Sequence, residues 1–186
     1  MYRSNAMWMV SAGLVASLCA LPGATPAQDP KPDPWAPVRF MEGAWEGTSV
    51  GESGTGQVQR TYEFVLKNRY LYEKNTSTYP PQEANKAGEV HEHWNFISYD
   101  KQRGLLVFRQ FHQEGFVNQY VYNPAVSTPT KLVFESENFE NFDNSWKARE
   151  TYELISADEF TETFELGPPG GELQVYSRNH FMRAKP

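Results

Sequence analysis

Two histidines, His91 and His93, are the most direct candidates for chemistry in this sequence. They lie two residues apart in a predicted β-strand, so both side chains project from one face, together with Asn95. Imidazole nitrogens bind zinc and related ions, but a metal site requires a third ligand from another strand. Without one, the pair lies on a hydrated strand face. His112 stands alone near a predicted hairpin and is expected at an exposed strand end.

A second set of candidates could contact a bound molecule. Arg109 lies between Val107 and Phe111 on one predicted strand face. A guanidinium on an apolar face requires an anion or a ring beside it. Arg109 is therefore predicted to anchor a ligand carboxylate, to form an ion pair, or to extend its stem along the surface with the guanidinium in water. Tyr120 belongs to an aromatic face that suits an apolar or planar ligand, and equally a packed core.

The last predicted strand carries three further candidates. Tyr176, Arg178 and His180 alternate along it, so one face presents a phenol, a cation and a base. If this face points inward, all three groups reach a cavity; if it points outward, it is an ordinary polar surface. The opposite face is no more polar, so the sequence leaves the direction open.

The elements that must position these residues are short β-strands. From Gly43 onward, period-two runs alternate with turn residues. The runs cover residues 43–50, 57–66, 69–79, 89–99, 105–112, 116–122, 131–137, 146–155, 160–166 and 172–183. No helix-length segment with a 3.6-residue period separates them, which excludes a parallel sheet with crossover helices. We predict an all-β fold, a single antiparallel up-and-down barrel of about ten strands, and favour it over a two-sheet sandwich because nearly every connection is a local hairpin.

The first residues predict export. Arg3 precedes a nearly uncharged apolar stretch, residues 7–21, and the small residues Thr25 and Ala27 have the spacing that signal peptidase favours. We therefore interpret residues 1–27 as a signal peptide and expect a periplasmic or secreted protein. An uncleaved anchor is the alternative, but the apolar stretch is shorter than the roughly 20 residues that cross a bilayer.

The remainder of the chain divides into a linker and a domain. Residues 28–37 are polar and rich in proline, and residues 38–186 are predicted to form the barrel. Asp33 followed by Pro34 predicts a short helical turn before the first strand. The single cysteine, Cys19, lies in the signal peptide, so the exported protein would have no disulfide.

Composition excludes some partners. The formal net charge of −6 argues against nucleic acid and against anionic membrane surfaces, which both require a basic protein surface. Aromatic residues make up 15% of the chain, which favours strands with bulky packing between them. The oligomeric state is not indicated.

At Gly43-Ala44-Trp45 the sequence resembles the superfamily of lipocalins and fatty-acid-binding proteins, the calycins. Those proteins begin their first strand with Gly-x-Trp after a short helical turn. The glycine lets the strand start tightly, and the indole fills the closed end. The continuation Trp45-Glu46-Gly47 is similar to the nitrobindin type of ten-stranded barrel.

This resemblance implies a ligand-holding barrel with Trp45 among its interior residues. Nitrobindins bind haem through a histidine on the last strand, which implies His180 here. Fatty-acid-binding proteins hold a carboxylate with an arginine and a tyrosine on that strand, a pattern that Tyr176 and Arg178 resemble.

These observations favour an exported, non-enzymatic protein that holds a small hydrophobic or amphipathic molecule in a barrel cavity. No cofactor is expected under this hypothesis. Two alternatives use the same barrel: an isomerase-like or hydrolase-like enzyme with cavity histidines, and a haem-binding protein. A further alternative is a cell-envelope protein that binds another protein through its outer surface.

Overall fold

A computed structural model describes residues 33–185; the predicted signal peptide and half of the predicted linker lie outside these residues. A 3-10 helix, Ala36–Met41, precedes ten strands. The strands are β1 (Gly43–Gly51), β2 (Gly54–Val65), β3 (Tyr70–Tyr79), β4 (Glu89–Asp100), β5 (Leu105–His112), β6 (Val117–Tyr122), β7 (Lys131–Glu140), β8 (Lys147–Ser156), β9 (Glu159–Gly167) and β10 (Gln174–Arg183). Among residues 33–185, no helix has the length and apolarity needed to cross a bilayer.

The ten strands form a closed antiparallel barrel. Each strand pairs with its neighbours in sequence, and β1 pairs with β10 to close the sheet. This confirms the predicted all-β barrel and the short helical turn before it. The local hairpins were predictable because the turns carry glycine, proline and asparagine between period-two runs.

One end of the barrel is closed by the 3-10 helix. Its residues Val38 and Met41 are fully buried, and the Trp45 indole donates a hydrogen bond to the Met41 carbonyl at 2.6 Å. Phe160 packs edge-on against Trp45 with ring centroids 4.6 Å apart and stacks on Phe181 at 4.8 Å. The indole therefore fills the closed end, as the Gly-x-Trp motif predicts.

Closure of the sheet depends on a close approach between β1 and β10. A Cβ atom on Gly47 would lie 1.9 Å from the His180 carbonyl oxygen, so any side chain here would force the two strands apart. Glycine at position 47 thus permits the β1–β10 pairing that removes the sheet edges.

Packing at the closed end determines which face of β10 points into the barrel. Phe181 is fully buried and Gly47 lies opposite it in the register, so Phe181 and Asn179 point inward. Arg178 and His180 consequently point outward. A register shift between Val175 and Ser177 changes the alternation near the start of the strand.

Candidate functional site

The end of the barrel opposite the 3-10 helix contains an open cavity of about 380 Å³. Its mouth lies among the hairpin loops that join β1 to β2, β3 to β4, β5 to β6, β7 to β8 and β9 to β10. The rim is largely aromatic, with Phe116, Phe139, Phe142, Phe164 and Tyr176. The deeper wall is polar, with Arg60, Gln110, Asn118, Glu150 and Glu162. An apolar rim above convergent polar groups is the usual form of a small-molecule site.

Arg60 is the central cation of the cavity floor. Its guanidinium is buried, lies 3.1 Å from Glu73 and 2.8 Å from Glu162, and donates to Asn75 Oδ1 at 2.9 Å. It also lies 4.5 Å above the Phe181 ring. Because two carboxylates already face this one guanidinium, Arg60 is not available as an anchor for a ligand carboxylate.

Glu150 is a buried carboxyl group whose surroundings favour its neutral form. One oxygen accepts a hydrogen bond from Gln110 at 3.2 Å, and the other has no hydrogen-bond partner among residues 33–185. Burial, and then the neighbouring Glu162 carboxylate, raise the pKa of Glu150 well above its ordinary value. A neutral carboxyl group can donate a hydrogen bond to a molecule in the cavity.

Three histidines form a cluster on the cavity wall: His91, His93 and His112. The β4–β5 register places His112 directly opposite His93. The ring centroids are 5.5 Å apart for His91 and His93, 5.7 Å for His91 and His112, and 5.4 Å for His93 and His112. One ring nitrogen from each histidine lies within 4.8 Å of one from each of the others.

Each ring also contacts a polar partner behind it. His91 Nδ1 lies 3.0 Å from a Glu114 carboxylate oxygen, and His93 Nε2 lies 3.4 Å from a Glu73 oxygen. The Asn118 amide lies 3.2 Å from His112 Nε2. His112 Nδ1 is buried and has no hydrogen-bond partner in the part of the chain that the structure describes.

The surroundings favour neutral imidazoles at two of these positions. Burial, and then the neighbouring His93 and His91, lower the pKa of His112 to about 3. Burial also lowers the pKa of His93, although Glu73 acts in the opposite direction. Neutral imidazole is the protonation state that binds a metal ion.

The other predicted site residues lie in different parts of the barrel and do not form one site. Tyr176 lies at the cavity rim, because the shift in β10 turns it toward the mouth. Trp45 and Tyr120 point inward but are fully packed below the cavity: Trp45 lies at the closed end, and the Tyr120 ring stacks on Phe108 with centroids 5.5 Å apart.

Three predicted ligand contacts lie on the outer surface instead. Arg109 alternates with the inward residues of β5 and donates to Ser98 at 3.2 Å, which corresponds to the surface alternative stated for it. Arg178 is exposed, and His180 pairs with Glu159 at 2.8 Å with half of its side chain exposed. His180 therefore cannot reach a haem held inside the barrel.

Sequence reasoning missed two important residues. Arg60 carries the same signal as Arg109, a guanidinium between apolar residues (Val58 and Tyr62) on one face, but it was not recognised. His112 was expected at an exposed strand end, and the structure instead places it in the cavity wall beside His93. Only the β4–β5 register reveals that contact.

The comparisons with known proteins support the fold. No protein-family model and no curated protein matches the sequence. Rv2717c from M. tuberculosis is similar in structure, with a TM-score of 0.61, 12% identity, and coverage of 82% of this chain and 98% of that one. EF1p2_mFAP2b bound to DFHBI gives a TM-score of 0.43 at 13% identity, covering 82% of this chain and 100% of that one. The likeness to Rv2717c is one of fold, and the resemblance to calycins stays a prediction.

Proposed function

We propose that the protein is an exported small-molecule-binding protein whose ligand enters the open end of the barrel. The observation that carries this proposal is the cavity of about 380 Å³ with an aromatic rim and a polar floor. This volume lies within the range of roughly 300–1,000 Å³ found for small-molecule pockets. The opposite end is filled by the packed rings of Trp45, Phe160 and Phe181, so the open end is the route to the cavity.

The charges of the cavity indicate the class of ligand. Five glutamates line it, Glu52, Glu89, Glu114, Glu150 and Glu162, and burial disfavours the charge of Glu150, whereas Arg60 is the only lysine or arginine among the lining residues that the structure describes. Since Arg60 is already paired with two carboxylates, an anionic ligand would meet an excess of negative charge. The ligand we propose has a planar or apolar body, which fits the aromatic rim, and a neutral or cationic polar end.

A matched pair of ligands tests this assignment. We expect naphthylmethyl-trimethylammonium to bind more tightly than naphthylacetate, by about three- to tenfold, in calorimetric titrations of the purified protein with a chelator present. Saturable binding of neither compound would contradict the proposed function. Tighter binding of naphthylacetate would contradict the charge assignment alone.

The natural ligand can be sought directly. Native mass spectrometry of the protein from its own source is expected to show an extra mass that disappears on denaturation. The same sample tests export, because cleavage after Ala27 leaves Gln28 as the first residue. A chain that retains residues 1–27 and stays in the cytoplasm would contradict the export proposal.

A further inference from the structure

We propose that His91, His93 and His112 form a binding site for a divalent transition-metal ion of the zinc type. The site lies in the wall of the cavity described above and goes beyond the proposed function, because it requires no bound organic molecule. It rests on the spacing of the three rings, on the groups behind them and on one partnerless nitrogen.

The spacing fits a small tetrahedral ion. His91 Nε2 and His93 Nδ1 lie 3.4 Å apart. With Zn–N bonds of roughly 2.0–2.1 Å, two ligands of a tetrahedral ion lie about 3.3–3.4 Å apart. One nitrogen of each of the three rings, that of His112 included, lies within 4.8 Å of one nitrogen of each of the others, so metal binding would draw His112 toward the pair. The His91–His93 pair therefore has the required spacing already.

The groups behind the rings orient them for metal binding. Glu114 lies against His91 Nδ1, and Glu73 lies against His93 Nε2. When each carboxylate accepts the N–H of its ring, the lone pairs of His91 Nε2 and His93 Nδ1 are left facing each other. A carboxylate behind a metal-binding histidine fixes its tautomer in this way.

His112 completes the same pattern through an amide. Its Nε2 lies 3.2 Å from the Asn118 side chain, and its buried Nδ1 has no partner among the described residues 33–185. As oriented, Asn118 Nδ2 donates to His112 Nε2 and also to Gln110 Oε1 at 3.4 Å, so a neutral His112 holds its proton on Nδ1. Metal binding through Nδ1 requires a half-turn of the Asn118 amide, which gives up the Gln110 bond and lets His112 Nε2 donate to Asn118 Oδ1 instead. A buried polar atom without a partner is unfavourable, and a metal ion would satisfy it.

Two neutral imidazoles cannot satisfy every contact of the His91–His93 pair. If His91 and His93 are neutral and both donate to their glutamates, two lone pairs face each other across 3.4 Å. If either ring instead donates to the other, its remaining lone pair faces a carboxylate oxygen. A cation held between the rings removes both conflicts and is attracted by the adjacent carboxylates.

The ion would also be accessible to small molecules. All three rings line the cavity, so an ion bound to them has its remaining coordination position on the cavity side. Three protein ligands with one open position is the arrangement of zinc sites that exchange a water or a ligand atom. The fourth ligand is therefore a water molecule or a nitrogen, oxygen or sulfur donor of a molecule in the cavity.

A second set of side chains beside the histidines could hold a metal ion instead. Glu89, His91 and Glu114 also place one ligand atom each within 4.8 Å of one another. Carboxylate-rich sets suit magnesium, calcium and manganese, whereas imidazole sets suit zinc, copper and nickel. Because the two groups share His91 but not His112, a variant of His112 separates them.

The test uses Co²⁺ and Zn²⁺ with the metal-free full chain. We expect one ion per chain and, for Co²⁺, the intense visible absorption of a tetrahedral site. His112→Gln should weaken Zn²⁺ binding by at least about 10–100-fold, since even removal of a supporting group costs that much. His180→Gln is the matched control, because His180 lies on the outer surface, and its affinity should equal that of the unaltered protein.

Three results would overturn the proposal. The first is that neither Co²⁺ nor Zn²⁺ binds saturably. The second is that the His112→Gln variant binds Zn²⁺ as tightly as the unaltered protein. The third is that Glu89→Gln loses Zn²⁺ binding while His112→Gln retains it. His93→Gln provides a second variant should His112→Gln fail to fold, as judged by circular dichroism, because His93 also belongs to the histidine set alone. The naphthyl titrations are made with a chelator, so failure of ligand binding and failure of metal binding are observed independently.

Discussion

The two ends of the barrel are built from the same ten strands. They differ in the side chains that project into the interior. At the closed end the inward residues are large and apolar, and Trp45, Phe160 and Phe181 pack ring against ring. At the open end the same alternation presents histidines, amides and carboxyl groups around a cavity. The buried and partnerless atoms His112 Nδ1 and Glu150 Oε2 belong to residues that line this cavity.

The closed end contributes mainly to the stability of the fold, and the open end provides the groups that can bind a molecule or an ion. Rings that fill the closed end gain hydrophobic and dispersion energy and leave no room for a ligand. Polar groups that lack partners at the open end lower the stability of the fold, and they can be satisfied by a bound molecule or ion. The ion network of Arg60, Glu73 and Glu162 lies between the two regions and closes the floor of the cavity.

The largest expected effect comes from opening the closed end. Phe160 is fully buried between Trp45 and Phe181, so Phe160→Ala removes a complete ring from a packed core. We expect the free energy of unfolding to fall by about 3–5 kcal/mol, measured by urea denaturation. The affinity for naphthylmethyl-trimethylammonium should stay unchanged under conditions in which the variant is folded. A loss of affinity comparable with the loss of stability would show that the two ends are not independent.

Much of this architecture could be predicted from local sequence. Strand bounds follow from period-two alternation and from turn residues, and the Trp45 plug follows from a motif with a physical role. Such features depend on residues that are neighbours in the chain. They are predicted well because no long-range information is required.

The candidate site depends on long-range register and was predicted only in part. His91 and His93 share a face by their spacing, but their contact with His112 requires the pairing of β4 with β5. The direction of β10 could not be chosen because both of its faces have similar polarity, and Phe181 at the closed end decides it. The outward position of His180 follows from that buried ring.

A smaller effect concerns the open end and its pH dependence. In the folded protein burial raises the pKa of Glu150, whereas unfolding returns this carboxyl group to an ordinary value near 4.5. Above that pH the unfolded chain has released a proton that the folded chain retains, so Glu150 lowers stability progressively as the pH rises toward its folded pKa. Glu150→Gln has no such proton. We therefore expect its stability relative to the unaltered protein to increase as the pH rises above about 5.

Urea denaturation at several pH values measures this difference. Glu153→Gln is the matched control, because Glu153 lies on the same strand and is exposed, with only a surface pair to Lys131 at 3.7 Å. The control should show a nearly constant difference from the unaltered protein across the same range. A Glu150→Gln difference that is equally flat would mean that Glu150 is ionised in the folded state.

The smallest effect concerns the aromatic rim. Phe142 is exposed over 42% of its surface and packs near Phe139 and Trp146, so Phe142→Ala should change stability by less than about 1 kcal/mol. It removes an aromatic contact for a ligand, and the affinity for naphthylmethyl-trimethylammonium should fall by about 0.5–1.5 kcal/mol, or roughly two- to tenfold. Trp94→Ala removes an equally exposed ring from the outer face of β4 and should leave this affinity unchanged. If the two variants weaken binding equally, the ligand does not occupy the rim of the cavity, and the functional contrast between the two ends fails.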